Sequence, residues 1–251
     1  LIYFSEPILS FNTQIPFRLD HNIRIFKAEI VSPSNQIVKL ELFDPLQTKT
    51  IYTLSVVDTI EDCCQNMIPL WSSIPVAIPE DPLVGDIVLN EILTDSYQDS
   101  DADFIEIFNC SSKVIDVGKM RIGYGKFENP EKIVPIASTG YLLFPQSYLA
   151  VCKNKQITLD QYFTPNPENL LLNDSLPNFA NSEGTIFLTD YSWNFIDSYT
   201  YFSADHSTFL LSTDGVSLEK IDPNLKSDYS FNWKSAVASV GFATPGYRNS
   251  N

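Results

Sequence analysis

Apolar and polar residues alternate over short runs along most of this chain, and the spacing of an amphipathic helix is nearly absent. The clearest runs are Ile23–Ile30, Ile37–Leu42, Ile51–Val57, Gly85–Leu93, Phe104–Asn109, Tyr148–Cys152, Thr185–Asp190, Asn194–Tyr201 and Val216–Lys220, separated by clusters of Pro, Asn, Asp and Ser. Successive side chains of a strand point to opposite faces, so such runs predict half-buried strands. Their close spacing predicts antiparallel sandwiches rather than βαβ units. One short helical turn is expected, around Ile157 to Tyr162. The predicted fold class is all-β, with two Ig-like antiparallel β-sandwich domains.

The stretch Ser73 to Leu83 carries Pro75, Pro79 and Pro82. Prolines remove backbone donors and favour extended chain, so this stretch reads as a linker. It divides the sequence into a first domain, residues 1–80, and a second, residues 84–251. The second is long for a simple sandwich, and its surplus lies in the Pro- and Asn-rich excursion from Lys153 to Ser182.

Hydrophobic residues make up 44% of the 251, enough for a sizeable core, and the 17 Phe and 12 Tyr suit pleated, half-buried surfaces. The 31 acidic against 16 basic residues give a formal net charge of −15. Such a surface repels phosphate backbones and anionic membranes, which argues against nucleic acid as a partner. No apolar run has the length of a membrane span, so no direct membrane insertion is expected. The sequence opens at Leu1 inside a strand-like run and reads as a piece of a longer protein. Of the four cysteines, Cys110 and Cys152 read as small apolar strand residues. Cys63 and Cys64 are adjacent and poorly placed to pair with each other, which leaves a bridge from one of them to another cysteine open.

Two ordered series of motifs carry family resemblances. Phe4-Ser5-Glu6-Pro7, the turn Phe43-Asp44-Pro45-Leu46, then Tyr52-Thr53-Leu54 and Asp62-Cys63-Cys64-Gln65-Asn66 resemble the bacterial Ig-like module of surface-layer and secreted proteins. Gln65 stands where that family usually has Gly. From Gly85 on, the chain resembles the lamin-tail domain in its bacterial secreted form. The matching pieces are Gly85-Asp86-Ile87-Val88-Leu89-Asn90-Glu91-Ile92, Asp103-Phe104-Ile105-Glu106-Ile107-Phe108-Asn109, Val114-Ile115-Asp116-Val117 and Tyr148-Leu149-Ala150-Val151. They continue with Gly215-Val216-Ser217-Leu218-Glu219-Lys220, Asn232-Trp233 and Thr244-Pro245-Gly246. These resemblances imply Ig-like sandwiches in a secreted or cell-surface bacterial protein, and they bring no catalytic residues with them.

The chemistry open to the chain is limited. The loop from Thr94 to Asp103 gathers Asp95, Asp99, Asp101 and Asp103, hard oxygen donors of the kind calcium takes. It begins like an EF-hand and then departs from one, with Phe104 in place of the turn glycine and Cys110 in place of the closing Glu. The readings are an irregular calcium site or a solvated loop, and no other cofactor is required. Glu91 and Glu106 would be a carboxylate pair in an enzyme. As structural residues they would face solvent or pair with Lys or Arg, with Asn90 bonding loop backbone. His206 reads as a loop hydrogen-bonder, since no G-x-S-x-G elbow, H-E-x-x-H or Gly-rich phosphate loop is present. Trp233 should pack the closing strand onto the sandwich, whereas Tyr191 and Trp193 sit at a hairpin tip as candidate partner contacts.

The expected function is therefore that of non-catalytic structural, adhesion or scaffolding modules of a larger secreted or cell-surface bacterial protein. Its partners would be a protein or glycan at the cell surface. The alternative is an accessory glycan- or polymer-binding module of a surface hydrolase.

Overall fold

The computed structural model describes residues 1–11, 13–138 and 140–250, and of Asp99 the backbone alone. The chain is all-β and divides into two compact units, Leu1–Ile78 and Pro79–Asn251.

The strands of the first unit are β1 (Ile2–Tyr3), β2 (Ile8–Phe11), β3 (Phe17–Leu19), β4 (Ile25–Val31), β5 (Ile37–Leu42), β6 (Tyr52–Val56), β7 (Ile60–Asp62) and β8 (Ser73–Val76). They form the ladders β1-β5-β4, β2-β7 and β3-β6-β8. In β6, Tyr52, Leu54 and Val56 are buried while Thr53 is exposed, as two-residue alternation demands. These side chains pack with Val38 and Ile60 into the core of this unit.

The second unit contains β9 (Ile87–Leu93), β10 (Phe104–Asn109), β11 (Ile115–Asp116), β12 (Met120–Lys126), β13 (Asn129–Pro135), β14 (Leu142–Leu143) and β15 (Tyr148–Cys152). After the helix α1 (Lys155–Gln161) come β16 (Leu170–Leu172), β17 (Glu183–Asp190), β18 (Phe195–Phe202), β19 (Leu218–Lys220) and β20 (Trp233–Ser235). A six-stranded sheet, β16-β15-β10-β9-β19-β20, faces a four-stranded sheet, β13-β12-β17-β18. Leu89, Ile105 and Ile107 from the first meet Ile122, Ile186 and Leu188 from the second, all fully buried. Each such side chain contributes about 1.5–3 kcal/mol by leaving water.

The six-stranded sheet is covered on its other face as well. Leu93, Phe104, Ala150 and Cys152 pack there with Tyr162, Leu170 and Ala243. The excursion read as an inter-strand loop thus builds a third layer. Asn154 starts its helix by accepting from the Ile157 amide at 3.3 Å, and β16 then joins β15 in parallel. Double coverage explains why every residue of β9 and β10 is buried, polar ones included.

All four cysteines are free thiols, so the bridge left open for Cys63 or Cys64 is not formed. Both are exposed, with sulfurs 3.9 Å apart.

Candidate functional site

The central strands place three carboxylates in a row. Glu106 on β10 stands opposite Glu91 on β9, which stands opposite Glu219 on β19. A bulge makes this possible. The register shifts between Glu106 and Ile107, so that Glu106 pairs with Glu91, Ile107 pairs with Leu89, and Asn90 is the extra residue. Strict alternation would send Glu91 into the core beside Leu89. The bulge turns Asn90 and Glu91 together onto the outer face and leaves Leu89 and Ile92 inside.

All three glutamates are completely buried, contrary to the expectation that Glu91 and Glu106 face solvent or pair with Lys or Arg. Their partners come largely from residues 244–250. The Thr244 amide donates to Glu91 Oε1 at 2.8 Å, the Gly246 amide to Glu106 Oε2 at 2.6 Å, and the Ser250 amide and hydroxyl to Glu219 at 2.6–3.1 Å. Ser217 Oγ donates to Glu91 Oε1 at 2.5 Å. Asn90 Nδ2 donates to Glu106 Oε1 at 2.7 Å and to Asn249 Oδ1 at 2.8 Å, and Asn249 Nδ2 donates to the Lys220 carbonyl at 2.8 Å. Gly246 has φ +84°, and a Cβ there would come within 2.9 Å of Leu170 and 3.1 Å of Asn169, so the Thr-Pro-Gly turn requires its glycine. The glutamate row therefore works as a clamp that fastens residues 244–250 onto the sheet.

The clamp also stores protons. Thr244 Oγ1 lies 3.1 Å from Glu91 Oε2 and 2.8 Å from Glu219 Oε1, and its one hydrogen serves only one of them. A second hydrogen must come from a carboxyl group. Burial, and then the charge of Glu219, push Glu91 up to about 8, and burial above all holds Glu106 well above the usual carboxylate range. Glu91 is thus the protonated member that bonds the threonine. All three acids are thus closed off from solvent and engaged by the chain itself.

The acidic loop is cross-linked within the fold. Asp95 accepts from Asn181 Nδ2 at 2.6 Å, Asp101 pairs with Lys153 at 3.0 Å, and Asp103 is held above the ordinary aspartate range chiefly by burial. The Asp99 side chain lies outside the described residues. Among the described residues, no group of three or more His, Cys, Asp or Glu is placed to hold a metal ion. The structure does not gather Asp95, Asp101 and Asp103 into a calcium cage.

The hairpin of β17 and β18 carries Tyr191 and Trp193 in its turn, each against a different neighbour. Its turn is closed by Asp190, whose carboxylate accepts from the Asn194 amide and side chain at 2.8 and 2.7 Å. Trp193 sits at φ +71°, a conformation costing a bulky residue about 1 kcal/mol or more. Its ring stacks on Phe127 at 5.9 Å and 23°, and Phe127 meets Phe195 edge-on at 5.6 Å. Tyr191, 58% exposed, lies under the Arg121 guanidinium at 4.4 Å. Trp233 packs inside as expected, stacked on Tyr199 at 4.1 Å, and His206 bonds Ser235 Oγ at 3.0 Å.

Sequence reasoning missed Glu219, Lys220 and Asn249. Lys220 is 1% exposed, and its ammonium donates to Ser227 Oγ at 2.6 Å, which in turn donates to Asp197 Oδ2 at 2.6 Å. Leu218-Glu219-Lys220 looks like half-exposed strand, and only the folding-back of residues 243–250 and 221–229 buries it.

No family model and no curated protein matches this chain. The chain is similar to the crystal structure of a DUF4876 family protein from Bacteroides thetaiotaomicron VPI-5482, with 98% of each chain covered, 11% sequence identity and a TM-score of 0.40, a likeness that carries no argument about function.

Proposed function

We propose that this chain is a pair of non-catalytic Ig-like modules of a larger secreted or cell-surface bacterial protein, serving as a spacer and as an adhesion or scaffolding element. Recognition would lie at the aromatic edge around Trp193. One contrast carries this reading: the most enzyme-like groups, Glu91 and Glu106, are wholly buried and engaged by residues 244–250, while Tyr191 and Trp193 stand exposed on a braced hairpin. The lamin-tail and surface-layer resemblances supply the setting. Rigid aromatic side chains at a loop tip give large contact area at low entropic cost.

The test is retention of the purified chain on bacterial cell-wall and cell-surface preparations, compared with Trp193→Ala and Tyr191→Ala. The expected result is loss of retention with an unchanged far-ultraviolet spectrum and a Tm within a few degrees of wild type. Equal retention by both variants would remove recognition from this edge. The stacked Phe127–Trp193 pair also favours a second reading, an accessory glycan- or polymer-binding module of a surface hydrolase, because such rings offer a face to sugar C–H groups.

A further inference from the structure

A cleft of about 420 Å³ opens in the second unit beside the start of β18. Its volume lies within the range of small-ligand sites, about 300–1,000 Å³. One wall is the segment around Gly85 and Asp86, another is Phe195 to Ser198, and the third is the loop from Pro223 to Asp228.

The polar part of this cleft is held in place. Asp197 Oδ2 accepts from Ser227 Oγ at 2.6 Å and from the Leu89 amide at 2.8 Å. Ser227 is fastened in turn, receiving Lys220 Nζ at 2.6 Å on its hydroxyl and Trp233 Nε1 at 2.8 Å on its carbonyl. Asp86 is fixed on the opposite wall by Lys113 at 2.6 Å and by the Leu83 amide at 2.7 Å. Such bracing removes the ordering cost that a ligand would otherwise meet.

The charges nearly cancel. Asp86, Asp197 and Asp228 line the cleft with Asp222 next to them, and against these four stand Lys226 in the lining, Lys113 on Asp86 and Lys220 behind Asp197. A cationic ligand finds Asp86 and Asp197 already compensated, and a polyanion meets the repulsion of a chain with net charge −15. A wholly apolar ligand would strip water from Asp197 without replacing its hydrogen bonds. Phe195 is 38% exposed and adds an apolar wall, which continues through its edge-on contact with Phe127 towards Trp193.

Fixed acceptors, an exposed Asn224 side chain braced through its Nδ2 on Asp222 Oδ1 at 3.0 Å, nearly balanced charge and an aromatic wall fit one chemistry. We propose that this cleft binds a neutral, hydroxyl-rich ring, a hexose unit of an uncharged glycan, with its hydroxyls on the Asp197, Asp86 and Asn224 groups and its C–H face on Phe195. The proposal rests on the reading of the chain as a recognition module and assigns that module a ligand class and a second contact region.

The experiment is an amide-shift titration of the intact chain with neutral di- and trisaccharides built from glucose, galactose, mannose and N-acetylglucosamine, with polygalacturonate as the anionic comparison. The expected result is saturable shifts at 85–86, 110–111 and 224–228 for at least one neutral sugar and none for polygalacturonate. The doubly substituted chain Asn224→Ala, Asp228→Asn, altered only at exposed rim positions, should keep its Tm and lose affinity by about tenfold or more. Shifts confined to the surroundings of Trp193, abolished by Trp193→Ala but not by the rim substitutions, would overturn the cleft and leave the aromatic edge as the recognition site. No shifts from any neutral sugar, alongside Trp193-dependent retention on cell surfaces, would do the same. Absence of both would overturn the cleft and the recognition reading together, and saturable polygalacturonate binding at 224–228 would overturn the neutrality of the ligand.

Discussion

Thr244 offers one hydroxyl hydrogen to two buried carboxyl groups, so a proton on one of the two completes the pair of hydrogen bonds. Because Glu91 is raised from its usual 4.5 to about 8, the folded state holds a proton that the unfolded chain releases. Its stabilising contribution is complete below about 4.5 and is lost as pH rises through about 8, at up to about 1.4 kcal/mol per pH unit for each such group. His206 works in the opposite sense, since burial lowers it from 6.5 and acid must charge it in the unfolded state. The comparison of wild type with Glu91→Gln separates the two. The amide reproduces the protonated acid, accepting through its oxygen from Ser217 and the Thr244 amide while its nitrogen donates to Thr244 Oγ1. Chemical denaturation across this pH range should show wild-type stability falling towards alkaline pH and a flatter curve for Glu91→Gln, which should be the more stable protein above about pH 8. Parallel curves would mean that Glu91 is ionised in the fold. None of this was legible in the sequence: Asn90-Glu91 looked like ordinary strand alternation, and a bulge leaves no local mark when neither residue is glycine or proline.

Strands with an unbroken run of apolar and polar positions were readable, and a strand interrupted by glycines was not. Ile37–Leu42, Phe104–Asn109 and Tyr148–Cys152 form the very strands their patterns indicate. The expected turn near Ile157 is the helix α1. By contrast β12, Met120-Arg121-Ile122-Gly123-Tyr124-Gly125-Lys126, carries two glycines that count against a strand. The structure gives the reason for one of them. A Cβ on Gly123 would lie 2.0 Å from the Phe187 ring, which crosses the β12 backbone from the neighbouring strand β17. Phe187 is itself fully buried under Phe127. Gly123→Ala should therefore push this ring out of place and destabilise the chain by about 1–3 kcal/mol, despite the better intrinsic strand behaviour of alanine. Urea denaturation of Gly123→Ala, compared with Gly123→Ala combined with Phe187→Leu, checks the cause. The second change should recover part of the loss, and a still larger loss would show that the ring is not the obstacle.

At the scale of the whole molecule, charge is the dominant unspent term. Thirty-one acidic side chains face sixteen basic ones, and the ion pairs with Lys27, Lys39 and Arg24 are exposed and weak. Mutual repulsion should thus lower stability at low ionic strength, and screening should restore it. Raising sodium chloride from about 10 mM to about 300 mM shortens the Debye length from about 30 Å to well under 10 Å, so Tm should rise by several degrees. Calcium is the sharper probe, because a divalent ion screens and can also bind. The described acids of the 95–103 loop already have partners, Asp95 in Asn181 and Asp101 in Lys153, and a cation would have to break these contacts to collect its oxygens. At matched ionic strength, calcium and magnesium should therefore raise Tm equally. A further rise of several degrees with calcium alone would mean that the loop rearranges into a site present only in the fold, since binding to the native state stabilises by RT ln(1 + [L]/Kd). Asp101→Asn would then have to abolish the increment, whereas a purely screening response would survive that substitution almost unchanged.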